Sequence, residues 1–240
     1  MGEEGVSRDD GRQDNQIRTL ACERGLLNRA DGSARWSQDS SSVLAAVYGP
    51  KSVPGYKEDP EKAKIEVLFK PKTDLPGTPE RELEQVIART VESVIIAALH
   101  PRTGISIILQ VLQDDGAILA CAINAACAAL VDAGIAMNGL VAATCVAISP
   151  DGRLLLDPLH AEAEGATAVA TLAFASTKPL PDKPRPAEPT PIVCSVTSGC
   201  MTAEQYFQCV DVGRSSCERV AAFFQLSLER YQRGWQMFAK

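Results

Sequence analysis

Aromatic and histidine side chains are scarce in this chain of 240 residues: aromatics make up 5% of it, and the only histidines are His100 and His160. So few rings offer no obvious platform for stacking nucleic-acid bases, and we expect Trp36 and Trp235 to anchor the core or an interface. The chain also lacks a basic excess, since its formal net charge is −6. That balance excludes a general nucleic-acid-coating protein but is compatible with a local basic groove.

Metal-binding cysteine pairs are missing too. The chain has 8 cysteines, none of them in a CxxC pair, so the spacing of a structural zinc site is absent. Cys121, Cys127 and Cys145 lie in apolar, alanine-rich runs, as small buried thiols do. Disulfide frameworks are typical of small secreted chains, and we therefore expect reduced, buried cysteines.

The sequence contains no long apolar run. The longest, residues 117–131, contains Asn124 and is too short to cross a bilayer, which predicts a chain with no membrane partner. Residues 1–16 are polar and mostly acidic, without the apolar segment of a signal peptide, so we expect an intracellular chain with a disordered acidic tail. Residues 17–240 are predicted to form one domain, interrupted by an exposed, stiff, proline-rich loop over 178–191.

Short apolar runs bounded by turn-forming residues predict strands along most of the chain. The predicted strands cover residues 17–22, 32–36, 42–48, 64–70, 105–112, 140–148, 153–156, 166–174 and 192–196.

Three helices interrupt these strands. A stripe of apolar residues predicts the first over 78–99, with Thr78 as its N-cap, and residues 117–133 are apolar nearly all round, as a buried helix is. The third begins after a capping box over Thr202–Gln205, and the sequence predicts a break in it at Gly213. This mixture of strands and helices indicates the α+β or mixed α/β class.

Several segments, in their order and spacing, resemble the ribonuclease PH family. The segments are residues 18–22, 31–34, 42–50, 111–116, 124–134 and 155–158. Together they extend over residues 17–175, and the long final helix fits the same pattern. Within the family, the chain is most similar to ring subunits of the eukaryotic RNA exosome.

The resemblance implies a fold of two βαβ-like halves, of the ribosomal protein S5 domain 2-like kind, with a long C-terminal helix. It implies a ring of such domains around an RNA channel, with RNA and other ring subunits as partners. The implied role is 3′-to-5′ RNA processing and degradation, including that of ribosomal RNA, in the nucleus, nucleolus and cytoplasm. The implied reaction is phosphorolysis, in which inorganic phosphate is the co-substrate and nucleoside diphosphates are released.

The phosphate pocket that the resemblance implies is degenerate in this chain. The family places a Thr or Ser followed by Arg at the start of the central helix, and the matching residues here are Ile118 and Leu119. A helix N-terminus still offers N–H groups to an anion, but the hydroxyl and the bidentate guanidinium are gone. A second family arginine matches Arg89, which the resemblance makes a phosphate-binding residue.

A row of polar residues follows the strand predicted over 64–70. Arg81, Gln85 and Arg89 recur every fourth residue of the first helix, and Lys70 and Lys72 precede it. We identify these five residues as candidate RNA-binding residues. An ordinary solvated helix face would show the same pattern.

Carboxylates after the strand predicted over 153–156 are the candidate acid–base or metal-binding groups. Asp157 matches one acidic residue of the family and is the candidate catalytic residue, whereas the second matches Ala163. Asp157, Glu162 and Glu164 could hold Mg²⁺ or Mn²⁺ in a shifted arrangement. A polar turn is the alternative interpretation, and His160 is expected to be structural or idle.

Three functions are compatible with these residues. The first is an exosome ring subunit with a degenerate phosphorolytic site. The second is an autonomous nuclease, a homodimer, that uses phosphate or degrades RNA or DNA by hydrolysis with Mg²⁺ or Mn²⁺. The third is an oligomerising scaffold with no nucleic-acid role.

Overall fold

A computed structural model describes residues 8, 10–55, 58–73, 77–176 and 190–238, with side chains up to Arg230 in the last segment. Two sheets form its framework. The first has the order β1-β2-β3-β5-β4 and contains β1 (Leu20–Arg24), β2 (Gly32–Gln38), β3 (Ser41–Ser52), β4 (Lys64–Lys70) and β5 (Thr103–Gln113). The second has the order β7-β6-β8-β9 and contains β6 (Leu140–Ile148), β7 (Leu154–Leu156), β8 (Ala168–Ser176) and β9 (Ile192–Gly199).

In the described ranges, four α-helices connect and cover the sheets: α1 (Thr78–Glu92), α2 (Ile118–Asp132), α3 (His160–Glu164) and α4 (Ala203–Phe238). A short 3-10 helix spans Ala97–Leu99. Strands β4 and β5 are parallel and are joined through α1, whereas the other described strand pairs are antiparallel. The predicted mixed α/β class, with a long C-terminal helix, is confirmed. No helix in the described part of the chain could cross a membrane.

Helix α2 is the centre of the core, packed against β2, β3 and β6. Its one amide side chain, Asn124, is fully buried and bonds the backbone of β6 twice. Its Nδ2 donates to the Ala143 carbonyl at 3.0 Å, and its Oδ1 accepts from the Ala143 N–H at 2.8 Å. These two bonds satisfy the buried amide, and they join the first half of the chain to the second.

The first predicted helix is shorter than expected. It begins after Gly77, whose N–H donates to the Glu80 carboxylate at 2.7 Å, so the prediction of Thr78 as N-cap was wrong by one residue. It ends at Glu92 instead of continuing to residue 99. The apolar period persists beyond Glu92 because Val94 and Ile95 are buried although they are not helical. Ile95 pairs with Met137 in an isolated bridge.

Helix α4 has the predicted start and no break. The Thr202 N–H donates to Gln205 Oε1 at 2.9 Å, and the Gln205 N–H donates to Thr202 Oγ1 at 3.3 Å, which confirms the capping box. The helix continues through Gly213, where an added Cβ would lie 2.9 Å from Leu172 Cδ1. This glycine therefore allows close approach of α4 to β8 rather than ending the helix.

Trp36 is fully buried and packs on α4. Its ring stacks on Phe224 with centroids 4.5 Å apart and meets Phe223 edge-on at 5.5 Å. The prediction of a core anchor is confirmed for Trp36, whereas the side chain of Trp235 lies outside the described residues.

The buried thiols are confirmed as well. Cys121, Cys127 and Cys145 are buried and free. Burial raises the pKa of Cys121 to about 12 and that of Cys127 to about 11, which makes them inert at neutral pH.

The segment predicted as a disordered tail differs from that expectation where it is described. Arg8 is buried, and the Asp14 carbonyl accepts from the Leu156 N–H at 2.9 Å. The described part of residues 1–16 thus lies against the second half of the chain. Residues 1–7 and 9 lie outside the described residues, as do residues 178–189 of the predicted proline-rich loop.

Candidate functional site

Asp157, the candidate catalytic residue, is held in a buried ion pair. It follows β7 with a φ of 51°, and its side chain is almost inaccessible. One carboxylate oxygen accepts from the backbone N–H and Nε of Arg18, both at 3.0 Å, and the other accepts from Nη2 at 2.7 Å. Because both oxygens are already engaged, Asp157 is not placed to donate a proton to a substrate or to bind a metal.

Arg18 continues this network into the turn before α2. Its Nη1 donates to the Asp115 carbonyl at 2.9 Å, and its Nη2 donates to the Gly116 carbonyl at 3.2 Å. Ser41 Oγ donates to the same Gly116 carbonyl at 2.9 Å and accepts from the Asp115 N–H at 3.0 Å. Burial lowers the pKa of Arg18, but the hydrogen bond to Asp157 and the nearby negative charges, that of Asp157 first, together outweigh burial and raise that pKa overall. The pair therefore fixes the start of α2 against β7.

Glu162, a candidate metal ligand, is paired with Arg8 from the N-terminal segment. Its Oε1 accepts from Arg8 Nε at 2.7 Å, and its Oε2 accepts from Arg8 Nη2 and from the Leu159 N–H at 2.8 Å. Burial raises the pKa of Glu162, but the bonds to Arg8 and Leu159 outweigh it and hold that pKa below its ordinary value. Arg8 and Arg12 also donate to the Asp157 carbonyl, each at 3.3 Å.

Glu164 points elsewhere, since it is exposed and lies 3.4 Å from His160 Nε2. Among the residues that the structure describes, no group of three or more His, Cys, Asp or Glu side chains could hold a metal ion. A cation site would also have to displace Arg8 and Arg18 from Glu162 and Asp157. The predicted carboxylate set therefore does not fit Mg²⁺ or Mn²⁺.

The start of α2 is apolar. Leu119 is buried and Ile118 is half-buried, at the positions where the resemblance implies a guanidinium and a hydroxyl. Ala117, the N-cap, has a left-handed backbone and provides no side-chain cap. In the described ranges, no hydrogen bond or ion pair joins Arg89 to this helix start. Only backbone N–H groups are left to meet a phosphate there.

The five candidate RNA-binding residues are all exposed. Arg81, Gln85 and Arg89 lie on one face of α1, and no carboxylate within the described ranges forms an ion pair with either arginine. Lys70 ends β4 and Lys72 follows it. Strands β4 and β5 are parallel, so their carboxyl ends lie at the same end of the sheet. Lys70 lies at that end, and α1 and α2 both start there. Two positive helix ends and two lysines therefore share this end of the sheet.

Comparison with known proteins identifies the family. A family model described as "3′ exoribonuclease family, domain 1", RNase PH, matches residues 16–136. The chain belongs to the ribonuclease PH family. The "Exosome complex exonuclease RRP46 homolog" of Arabidopsis thaliana is 45% identical over 94% of this chain and 97% of that protein. The protein of the same name from Oryza sativa is 41% identical over 95% of this chain and 98% of its own length.

Two solved structures match the fold over most of the chain. The crystal structure of rice Rrp46 superposes with a TM-score of 0.84 at 41% identity, covering 92% of this chain and all of that one. An Archaeoglobus fulgidus exosome chain, solved with RNA bound to the active site, gives a TM-score of 0.73 at 19% identity, covering 91% of this chain and 92% of that one. This second match concerns the fold alone.

Proposed function

We propose that this ribonuclease PH family chain is a ring subunit of an RNA exosome that binds RNA without carrying out phosphorolysis itself. Its role is to support 3′-to-5′ RNA processing and degradation, including that of ribosomal RNA, by a complex of related subunits. Two plant relatives that match nearly end to end carry the name of the exosome complex, each being called an exosome complex exonuclease. The observation that carries the proposal is the apolar start of α2 at Ile118 and Leu119, where phosphorolysis needs a phosphate clamp.

The engaged carboxylate supports the same proposal. Phosphorolysis needs a proton donor for the leaving oxygen, and Asp157 is buried with both oxygens bonded to Arg18. Among the described residues, the candidate groups that remain available are those that would contact RNA, whereas the groups proposed to accelerate its cleavage are replaced or already bonded.

RNA contact is assigned to the exposed face of Lys70, Lys72, Arg81, Gln85 and Arg89. Arginine and lysine side chains in a row can follow a phosphate backbone without reading its sequence. The adjacent starts of α1 and α2 add positive dipole ends at the same end of the sheet. Other ring subunits are the proposed protein partners, in the nucleus, nucleolus and cytoplasm.

The name of the plant relatives favours a second candidate. Both are called exonucleases, which supports nuclease activity; this candidate is an autonomous, homodimeric nuclease with phosphate as co-substrate. The N–H groups at the start of α2 could still hold that phosphate, and the family resemblance assigns Arg89 as its counter-charge. A hydrolytic, metal-dependent form has less support, because Asp157 and Glu162 are each paired with an arginine.

Product analysis separates these candidates. The purified chain is incubated with single-stranded RNA bearing a 3′-hydroxyl, in one arm with phosphate and in another with Mg²⁺ or Mn²⁺ and no phosphate. The proposal predicts intact RNA in both arms. Nucleoside diphosphates that disappear in Arg89→Glu would establish a phosphorolytic enzyme, whereas monophosphates in the metal arm would establish a hydrolase.

A further inference from the structure

The outer edge of the first sheet has open backbone groups. Within the described residues, strand β1 pairs only with β2. At its two ends the Thr19 carbonyl accepts from the Asp39 N–H, just after β2, and the Gly25 N–H donates to the Ser33 carbonyl of β2. Antiparallel strands turn alternate residues toward their partner, so the backbone groups of Leu20 and Cys22 point away from β2. In the part of the chain that the structure describes, these outward groups have no hydrogen-bond partner.

A groove of about 540 Å³ lies between this edge and α4. Leu20 and Cys22 line its strand side, and Phe223 and Leu226 line its helix side. Leu226 is 56% exposed although it is a large apolar side chain. Apolar lining beside an open strand edge is the arrangement that proteins use to bind an added strand.

The other described sheet edges differ from β1. Edge strand β4 presents Lys64, Glu66 and Lys70 to solvent, and β7 has only 3 residues. Charged and very short strands resist pairing with other chains. The outer face of β9 is polar, with Ser195 and Thr197 exposed. Only β1 combines, within the described residues, an open edge with a neighbouring apolar groove.

The charge of the groove defines the occupant further. Its charged lining residues are Arg24 and Arg230, and no carboxylate lines it, although the chain as a whole is acidic. Arg24 lies at the end of β1 and donates to the Ser227 carbonyl of α4 at 2.8 Å, across the groove. A segment seated here would therefore have apolar residues along Leu20 and Cys22 and a carboxylate near Arg24.

We propose that β1 and α4 form a docking site for an extended acidic–apolar peptide segment of a partner protein. The segment adds to β1 as a sixth strand through the outward backbone groups of Leu20 and Cys22. Its alternate apolar side chains enter the groove beside Phe223 and Leu226. This site is separate from the face of α1 assigned to RNA.

The test uses the full chain and a fluorescent heptapeptide with blocked termini, Glu-Thr-Val-Thr-Val-Thr-Glu. Its glutamates and valines share one face in either chain direction, so one glutamate always reaches Arg24. Fluorescence polarisation should show saturable binding, and replacement of both glutamates by lysine should weaken it about tenfold or more.

Peptide N-methylated at its valines is compared with peptide N-methylated at its threonines. One pattern should abolish binding and the other should be tolerated, since alternate N–H groups of an added strand face the sheet.

Two variants of α4 provide the matched comparison. Leu226→Glu places a carboxylate in the groove and should weaken peptide binding about tenfold. Phe207→Glu makes the same change at another exposed apolar position of the same helix and should leave binding unchanged. The proposal is overturned if the peptide does not bind, if both methylated peptides bind equally well, or if the two variants behave alike.

The remaining outcomes also contradict the proposal. If a single-stranded oligoribonucleotide displaces the peptide and binds more weakly to Leu226→Glu, the groove is a nucleic-acid site. If the chain is a dimer in analytical ultracentrifugation that Leu226→Glu dissociates, and the peptide fails to bind, the groove is an interface between copies of this chain.

Discussion

At the scale of single residues, the candidate catalytic carboxylate has a structural partner. Asp157 and Arg18 are both buried, and their pair connects β7 with the turn before α2. The sequence placed both residues in segments typical of the family, but nothing in their spacing, 139 residues apart, indicated that they meet. Glu162 was predicted as a metal ligand because it flanks Ala163, which matches a family carboxylate. Its pairing with Arg8 was not foreseen, because Arg8 lay in a segment expected to be disordered.

Removal of the Asp157 charge should therefore destabilise the fold. Asp157→Asn leaves the Arg18 guanidinium buried without a counter-charge, and we expect the free energy of unfolding to fall by about 3–5 kcal/mol. Urea unfolding followed by circular dichroism measures this change. Asp151→Asn, at an exposed position, should change stability by less than about 0.5 kcal/mol. A loss no larger than that of the control would refute the structural role of the pair.

Glu162 should make stability depend on pH. Its pKa is lowered in the folded state, so its contribution is complete above the unfolded-state pKa of about 4.3 and is lost as the pH falls through the folded-state value. Glu162→Gln should lower stability at neutral pH and flatten its decline under acid conditions. Glu164→Gln, with an exposed carboxylate, serves as the control in thermal unfolding at a series of pH values. Identical pH profiles for Glu162→Gln and wild type would contradict the Arg8–Glu162 pair.

At the scale of elements, periodicity located most helices and strands but not their ends. The apolar pattern through Val94 and Ile95 resembled a continuing helix, because burial in an isolated bridge to Met137 selects the same residue types. Gly213 suggested a break in α4, but a glycine stands there because α4 packs closely against β8. A sequence does not encode that distance directly. The capping box over Thr202–Gln205 was predictable because its signal is local.

Close packing of β2 on α2 gives a test at this scale. An added Cβ at Gly32 would lie 2.3 Å from the Ala133 nitrogen and 2.5 Å from the Ala129 carbonyl oxygen, which are backbone atoms. Gly32→Ala should lower the free energy of unfolding by about 1–3 kcal/mol. Gly55→Ala, where an added Cβ meets nothing within 4 Å, should change it by less than about 0.5 kcal/mol. Equal stability of the two variants in urea would show that the packing at Gly32 is looser than described.

At the scale of the whole molecule, the two sheet-containing halves share one core, joined through α2, Asn124 and the Arg18–Asp157 pair. The family fold was predictable because its segments recur in a fixed order along residues 17–175. The state of the site was only partly predictable. Ile118 and Leu119 indicated a degenerate phosphate pocket, but the occupation of both Asp157 oxygens required the three-dimensional contacts.

The central claim is that this ribonuclease PH family chain holds RNA through α1 without degrading it. Binding of 3′-hydroxyl single-stranded RNA is measured across a series of salt concentrations in phosphate buffer, with the products analysed in the same samples. The double variant Arg81→Glu/Arg89→Glu is compared with Arg29→Glu, an exposed arginine outside α1.

We predict intact RNA, salt-dependent binding by wild type, and a salt slope smaller by about 1.4 in the double variant, since two phosphate contacts are lost. Arg29→Glu should bind as wild type does. Three results would contradict the account: wild type that does not bind RNA, a double variant that binds RNA as wild type does, or nucleoside diphosphates released by wild type.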